Sequence, residues 1–164
     1  MTTLVLLLAL VVASTPKAPV PGAFPNAVAL AGETQEDAPA VEIYLTPAPW
    51  AGPAPPARPY LHIEIARGAW VGRLGTDLDL VPLSRHGLDP SRPIVRAEIA
   101  LKDAEPAWLT GRLRLTAVEP GVRAEGSYAF VGPGGRSWTG TFKASWIAPR
   151  SGGSPEDSRR EPRR

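Results

Sequence analysis

The chain has 164 residues, 43% hydrophobic and 21% charged, with a formal net charge of +2, which fits one domain of ordinary size rather than two independent cores. It contains no cysteine, so disulfide frameworks, thiolate zinc sites, iron–sulfur clusters and thiol catalysis are excluded. The small positive charge rests mostly on arginine, alongside much alanine, proline and glycine; this pattern reflects coding bias and does not imply a nucleic-acid partner.

Residues 4–13 (LVLLLALVVA) are uninterrupted apolar and are followed by Ser14, Thr15 and Pro16. That is the length of a signal-peptide core and well short of the ~20 residues a membrane-spanning helix needs. Val11 and Ala13 place small residues ahead of a cut near residue 14, and Ala29 with Ala31 offer a second such position. Residues 1–14 are therefore expected to be a signal peptide, with no transmembrane anchor and a secreted or periplasmic product. Residues 15–40 are small, proline-rich and mildly acidic, without a sustained period, and read as a linker. Residues 150–164 (RSGGSPEDSRREPRR) carry no aromatic or aliphatic residue beyond proline and glycine and are expected to form a disordered polar tail.

Residues 41–149 alternate with period 2, which predicts an all-β domain. Val41, Ile43 and Leu45 share one face of a first strand. Leu61, Ile63 and Ile65 share one face of a second, with His62 and Glu64 opposite. The intervening TPAPWAGPAPPARP holds six prolines, which forbid a central strand and predict an extended crossing over the surface, pinned by Trp50. Its Pro56-Ala57-Arg58-Pro59 spacing also matches the ligand of a polyproline-binding groove, but a crossing loop is the simpler role. Residues 70–74 and 78–81 read as further strands broken at Gly75, and residues 84–93 as loop.

From Val95 onward the pattern predicts a four-strand meander. One face presents Val95, Ala97, Ile99 and Leu101, then Leu109, Gly111, Leu113, Leu115 and Ala117. The Glu119-Pro120-Gly121 turn leads to Ala124, Gly126, Tyr128 and Phe130. After the turn at 132–135, Trp138, Gly140, Phe142, Ala144 and Trp146 complete the face. Only registers that keep the apolar sets on one side are allowed. These set Ala117 by Ala124, Leu115 by Gly126 and Leu113 by Tyr128. In the last hairpin they set Phe130 by Trp138, Tyr128 by Gly140 and Gly126 by Phe142, so that a ring covers each strand glycine. Trp138 and Trp146 are expected to anchor the core, each burying surface worth roughly 4–6 kcal/mol.

The predicted fold is thus a small antiparallel sandwich or up-and-down barrel of about seven or eight strands. In a barrel, Tyr128, Phe130, Trp138, Phe142 and Trp146 would line a pocket for a small apolar ligand. The opposite face carries mixed charges and hydroxyls, including Arg96, Glu98, Arg112, Arg114, Thr116, Glu125 and Lys143, and reads as solvated; without interleaved aromatics it does not fit nucleic acid.

No catalytic, metal or cofactor site is expected. The two histidines, His62 and His86, are too few for a convergent zinc site. His62 with Glu64, Asp77 with Asp79, and His86 with Asp89 are alternate or neighbouring polar residues of the kind any solvated strand or loop presents. Ser84 joins His86 and Asp89 in holding the residue types of a hydrolase triad, but no nucleophile elbow accompanies them. Gly132-Pro133-Gly134-Gly135 joins two strands instead of opening a helix, so it is a hairpin turn and not a phosphate loop. The expected role is a non-catalytic binding or structural module of the bacterial envelope or exterior, with a small apolar-ligand carrier and an unrecognised hydrolase as the alternatives.

Overall fold

The computed structural model describes residues 24–33, 39–52, 54–66, 68–81 and 94–147. The expected signal peptide, the loop bearing Ser84, His86 and Asp89, and the polar tail lie outside the described residues.

Nine strands form one curled mixed sheet, a half-barrel, with spatial order β4-β7-β8-β9-β1-β2-β3-β5-β6. They are β1 (Asn26–Glu33), β2 (Pro39–Thr46), β3 (Tyr60–Ala66), β4 (Asp77–Asp79), β5 (Val95–Ala100), β6 (Ala107–Trp108), β7 (Thr110–Glu119), β8 (Arg123–Val131) and β9 (Ser137–Trp146). All pairings are antiparallel except β1 with β9, which run parallel through Val28 with Ser145 and Ala29 with Trp146. The all-β expectation holds; the wholly antiparallel one does not, because the first strand returns to lie beside the last.

The apolar rows turn inward as their alternation requires. Ile43, Leu45, Leu61, Ile63, Ile65, Leu113, Leu115 and Phe130 are fully buried in one core, together with Val41, Val95, Ala97, Ile99, Trp138, Phe142 and Ala144. Trp138 anchors it as expected, whereas Trp146 is only partly buried and packs at its margin.

Chain flow bends the sheet. β6 pairs with β5, and after the single residue Leu109 the chain becomes β7, which pairs with β8 and β4. Leu109 N–H donates to Ala97 O and Val81 N–H to Val95 O, so β5 is tied to both the β6–β7 segment and the end of β4. At this bend Gly111 adopts a φ of +124°, and a side chain there would strike the Ala129 carbonyl. Only glycine accepts both demands.

The last hairpin pairs Phe130 with Trp138, Tyr128 with Gly140 and Gly126 with Phe142, as the apolar alternation requires. Its turn, Pro133–Gly135, is closed by Gly132 N–H donating to Arg136 O. The middle hairpin keeps Leu113 by Tyr128 and Leu115 by Gly126, but a bulge between Leu115 and Ala117 changes the rest. Beyond it Ala117 lies by Glu125 and Val118 by Ala124, in place of the expected Ala117 by Ala124. At the tip Glu119 pairs with Arg123 across a three-residue turn of Pro120, Gly121 and Val122, with Gly121 at positive φ, and Arg123 donates to Glu119 Oε1 at 2.7 Å. The bulge absorbs the extra residue and returns Leu115 to the inner row.

Two segments depart from the sequence reading. β1 occupies part of the expected linker at 15–40, and its Ala29 is fully buried between β9 and β2. Its alternation is carried by Ala27, Ala29 and Ala31 against Val28 and Leu30, a contrast too faint to register as period 2. Residues 70–74, expected as a strand, instead form turns around positive-φ Gly72 and Gly75. No described helix is long and apolar enough to cross a membrane.

Candidate functional site

The outward residues of β2, β3 and β5 are not all solvated. β2 and β3 set Tyr44 opposite His62 and Glu42 opposite Glu64; β3 and β5 set His62 opposite Glu98 and Glu64 opposite Arg96. Two polar rows thus run across three strands, and their residues sit on the convex side because the neighbouring positions hold the core. Arg96 and Glu64 are buried, with Arg96 Nη1 3.4 Å from Glu64 Oε1. Tyr44, Tyr60 and Ala100 form a second apolar cluster outside the sheet, joined by Leu30 and Trp50.

The proline-rich segment after β2 builds the cover. Trp50 packs on Tyr44 with ring centroids 4.8 Å apart and donates its indole N–H to Ala54 O. Arg58 donates to Ala104 O, tying the segment to the turn after β5. The surface crossing pinned by Trp50 is therefore present. With Pro56 buried and the Arg58 guanidinium engaged, the Pro56–Pro59 spacing does not present a free ligand for a polyproline groove.

His62 lies at the centre. Its ring stacks on Tyr44 at 4.4 Å and 11°. Nε2 is 3.6 Å from Glu42 Oε2, and Nδ1 is 3.6 Å from Glu98 Oε1. Burial alone would lower its pKa, but the carboxylates of Glu42 and Glu98 outweigh that and raise it to about 9. In return, His62 holds the Glu42 carboxyl below its ordinary value against the opposing effect of burial, helped by the Tyr44 hydroxyl, which donates to Glu42 Oε2 at 3.1 Å. Burial, then the Glu42 charge, drives the Tyr44 phenol well above its usual range. Gly32 on β1 leaves the room this requires, since any side chain there would collide with the Glu42 carboxylate.

Near neutral pH His62 is thus an imidazolium whose two N–H groups face two carboxylates. It has no lone pair to act as a base or a metal ligand. His62 and Glu64, weighed as a couple from sequence, share the outer face of β3, but the carboxylates that hold His62 belong to other strands. Sequence reading missed Glu42, Tyr44 and Glu98 as its partners. The signal that carries them is parity, since all are even-numbered and lie opposite the apolar rows.

The remaining sequence candidates are separate. Asp77 and Asp79 are exposed on β4 and lie 3.7–4.0 Å from Arg112 and Arg114 of β7. Among the described residues no group of three His, Asp or Glu is arranged to hold a metal ion. Of the five inner aromatics, Phe130, Trp138 and Phe142 are buried in the core, while Tyr128 and Trp146 are partly accessible. Tyr128 stacks on Phe130 at 5.2 Å. Comparison with protein-family models, curated proteins and solved structures found no match.

Proposed function

We propose that the chain is an exported β domain with a binding or structural role and no catalytic one. The observation that carries this reading is the state of His62, the one histidine among the described residues. Its ring stacks on Tyr44 and lies 3.6 Å from each of two carboxylates with little access to solvent, which supports a structural role for the cluster. Screening the full chain against ester, glycoside and phosphoester substrates tests the proposal. The expected result is no turnover above blank; steady turnover abolished by His62→Gln, with the fold intact, overturns it.

Export is supported by the apolar run at 4–13. A cut after Ala31 would remove most of β1 and its buried Ala29, so processing near residue 14 fits the fold better. N-terminal sequencing of the protein recovered outside the cytoplasm should start close to Thr15, and retention of an uncut chain in the cytosol contradicts export. A second reading, a small apolar-ligand site, is favoured by Tyr128, which faces inward yet stays partly accessible. Tryptophan fluorescence during titration with apolar ligands separates the two roles: a saturable change supports the site, and a flat response opposes it.

A further inference from the structure

The proline-rich crossing between β2 and β3, described at 47–52 and 54–59, is held differently from the strands it joins. Each strand is tied to its neighbours by backbone ladders. Among the described residues, no backbone hydrogen bond joins the crossing to the sheet. Side chains fasten its two ends: Asn26 Nδ2 donates to Pro47 O, and Arg58 Nη1 donates to Ala104 O. Between them most residues are exposed, while Pro56 is buried, Gly52 lies against Ile147, and Trp50 sets its ring on Tyr44. The Trp50 indole N–H donates to Ala54 O, inside the crossing itself, so this residue grips the sheet by packing alone. A segment outside the ladders belongs to the low end of local stability.

The seat of Trp50 depends in turn on His62. Tyr44 touches both rings, stacking on His62 at 4.4 Å and 11°. Its hydroxyl donates to Glu42 Oε2, the same oxygen that lies 3.6 Å from His62 Nε2. The tyrosine is therefore held at its ring by the imidazolium and at its hydroxyl by a carboxylate that the imidazolium attracts. The groups facing His62 are Glu42 and Tyr44 of β2 and Glu98 of β5; Tyr60 and Glu64 flank it on β3. The crossing brings one cation, Arg58, which is engaged at Ala104. Neutralising the imidazole takes the cation away from the Tyr44 ring and leaves Glu42 and Glu98 without the charge that offsets them.

We infer that the crossing is a flap that opens about its two ends while the sheet stays folded, and that charged His62, acting through Tyr44, keeps it shut. Opening uncovers Tyr44, Tyr60, Leu30 and Ala100, the apolar cluster on the outer face, beside the carboxylates of Glu42 and Glu98. His62 is a positioning residue in this device. It fixes the ring on which the flap rests.

Native-state proteolysis of the full chain with subtilisin, the cut sites read by mass, tests the inference. Cutting should fall within residues 47–59 at a rate that low urea barely changes, because opening a flap exposes little surface. His62→Gln should speed that cut about tenfold, the scale expected when a cation leaves a half-buried ring face. Trp50→Ala should speed it at least as much. Adding His62→Gln to Trp50→Ala should do nothing more, since the contact that carries the effect is already gone. The wild type supplies a readout that needs no His62 variant: measured against an unstructured peptide of the same sequence, its cut should quicken as pH passes about 9, and Trp50→Ala should lack that rise. Cutting that begins only with global unfolding, a urea slope equal to that of unfolding, a wild-type rate indifferent to pH, or additive effects of the two substitutions overturns the inference.

Discussion

On β7, Arg112 and Arg114 project from the outer face with 68% and 54% of their side-chain surface exposed, and their carboxylate partners on β4 stand 3.7–4.0 Å away. On the opposite flank, Arg96 of β5 also points outward by strand parity, yet its side chain is fully buried, and His62 beside it keeps its carboxylates at 3.6 Å. The separations are nearly equal; the surroundings are not. Alternation along a strand decides which way a side chain points, and how deeply its surroundings bury it decides the dielectric it meets. Ion pairs in water are worth about 0–1 kcal/mol, whereas a buried charge stripped of its partner costs about 3–5 kcal/mol.

Replacing His62 by Leu breaks the comparison most sharply. Glu42 and Glu98 would face each other across β3 with their shared cation gone, and denaturant unfolding should show a loss of about 3–5 kcal/mol. A loss no greater than that of an exposed arginine would make the two flanks energetically alike. The pH profile comes next. The pKa of His62 is raised from 6.5 to about 9, so its contribution is complete below pH 6.5 and disappears as pH rises through 9. The corresponding energy is roughly 3 kcal/mol. Glu42 is shifted the other way, so stability also falls as pH drops below the ordinary carboxylate range. Unfolding midpoints across pH should therefore form a plateau between these limits, and the fall between pH 6.5 and about 9 should be absent in His62→Leu. Because one set of ion pairs underlies both shifts, the two contributions do not add.

Smaller effects sharpen the picture. Tyr44→Phe removes the hydroxyl that donates to Glu42 Oε2 but keeps the ring stacked on His62, and should cost about 1 kcal/mol by the same unfolding measurement. Arg112→Ala, on the exposed flank, should change stability by less than about 0.5 kcal/mol. A larger change there would mean that the β4–β7 charges are organised beyond what their exposure implies.

The sequence discloses the inner surface far better than the outer cluster. Val95 through Trp146 alternates strong apolar residues with polar ones, and two of its hairpins have short turns, so parity and turn length together define most pairings. The bulge after Leu115 escapes this reasoning because the three-residue turn between Glu119 and Arg123 shifts the tip by one residue relative to the apolar row. β1 escapes because alanine contributes little contrast on either face. The His62 cluster requires the registers of β2, β3 and β5, which are joined by a long proline-rich crossing and by a still longer excursion through β4. Neither connection fixes a register by its length. Parity places Glu42, Tyr44, His62, Glu64, Arg96 and Glu98 on one side, and long-range pairing alone makes them neighbours.

The parallel contact between β1 and β9 has a kinetic side. Its partners, Val28 with Ser145 and Ala29 with Trp146, come from almost opposite ends of the described chain, so the ladder between them closes the longest loop among the strand pairings of the described residues. Such distant contacts form slowly because the ordering entropy must be spent before they give anything back. During synthesis β1 emerges first and must wait, unpartnered on that side, until β9 has been made. The β1–β9 ladder is therefore expected to be among the last contacts to close, after the antiparallel neighbours on either side of it have paired.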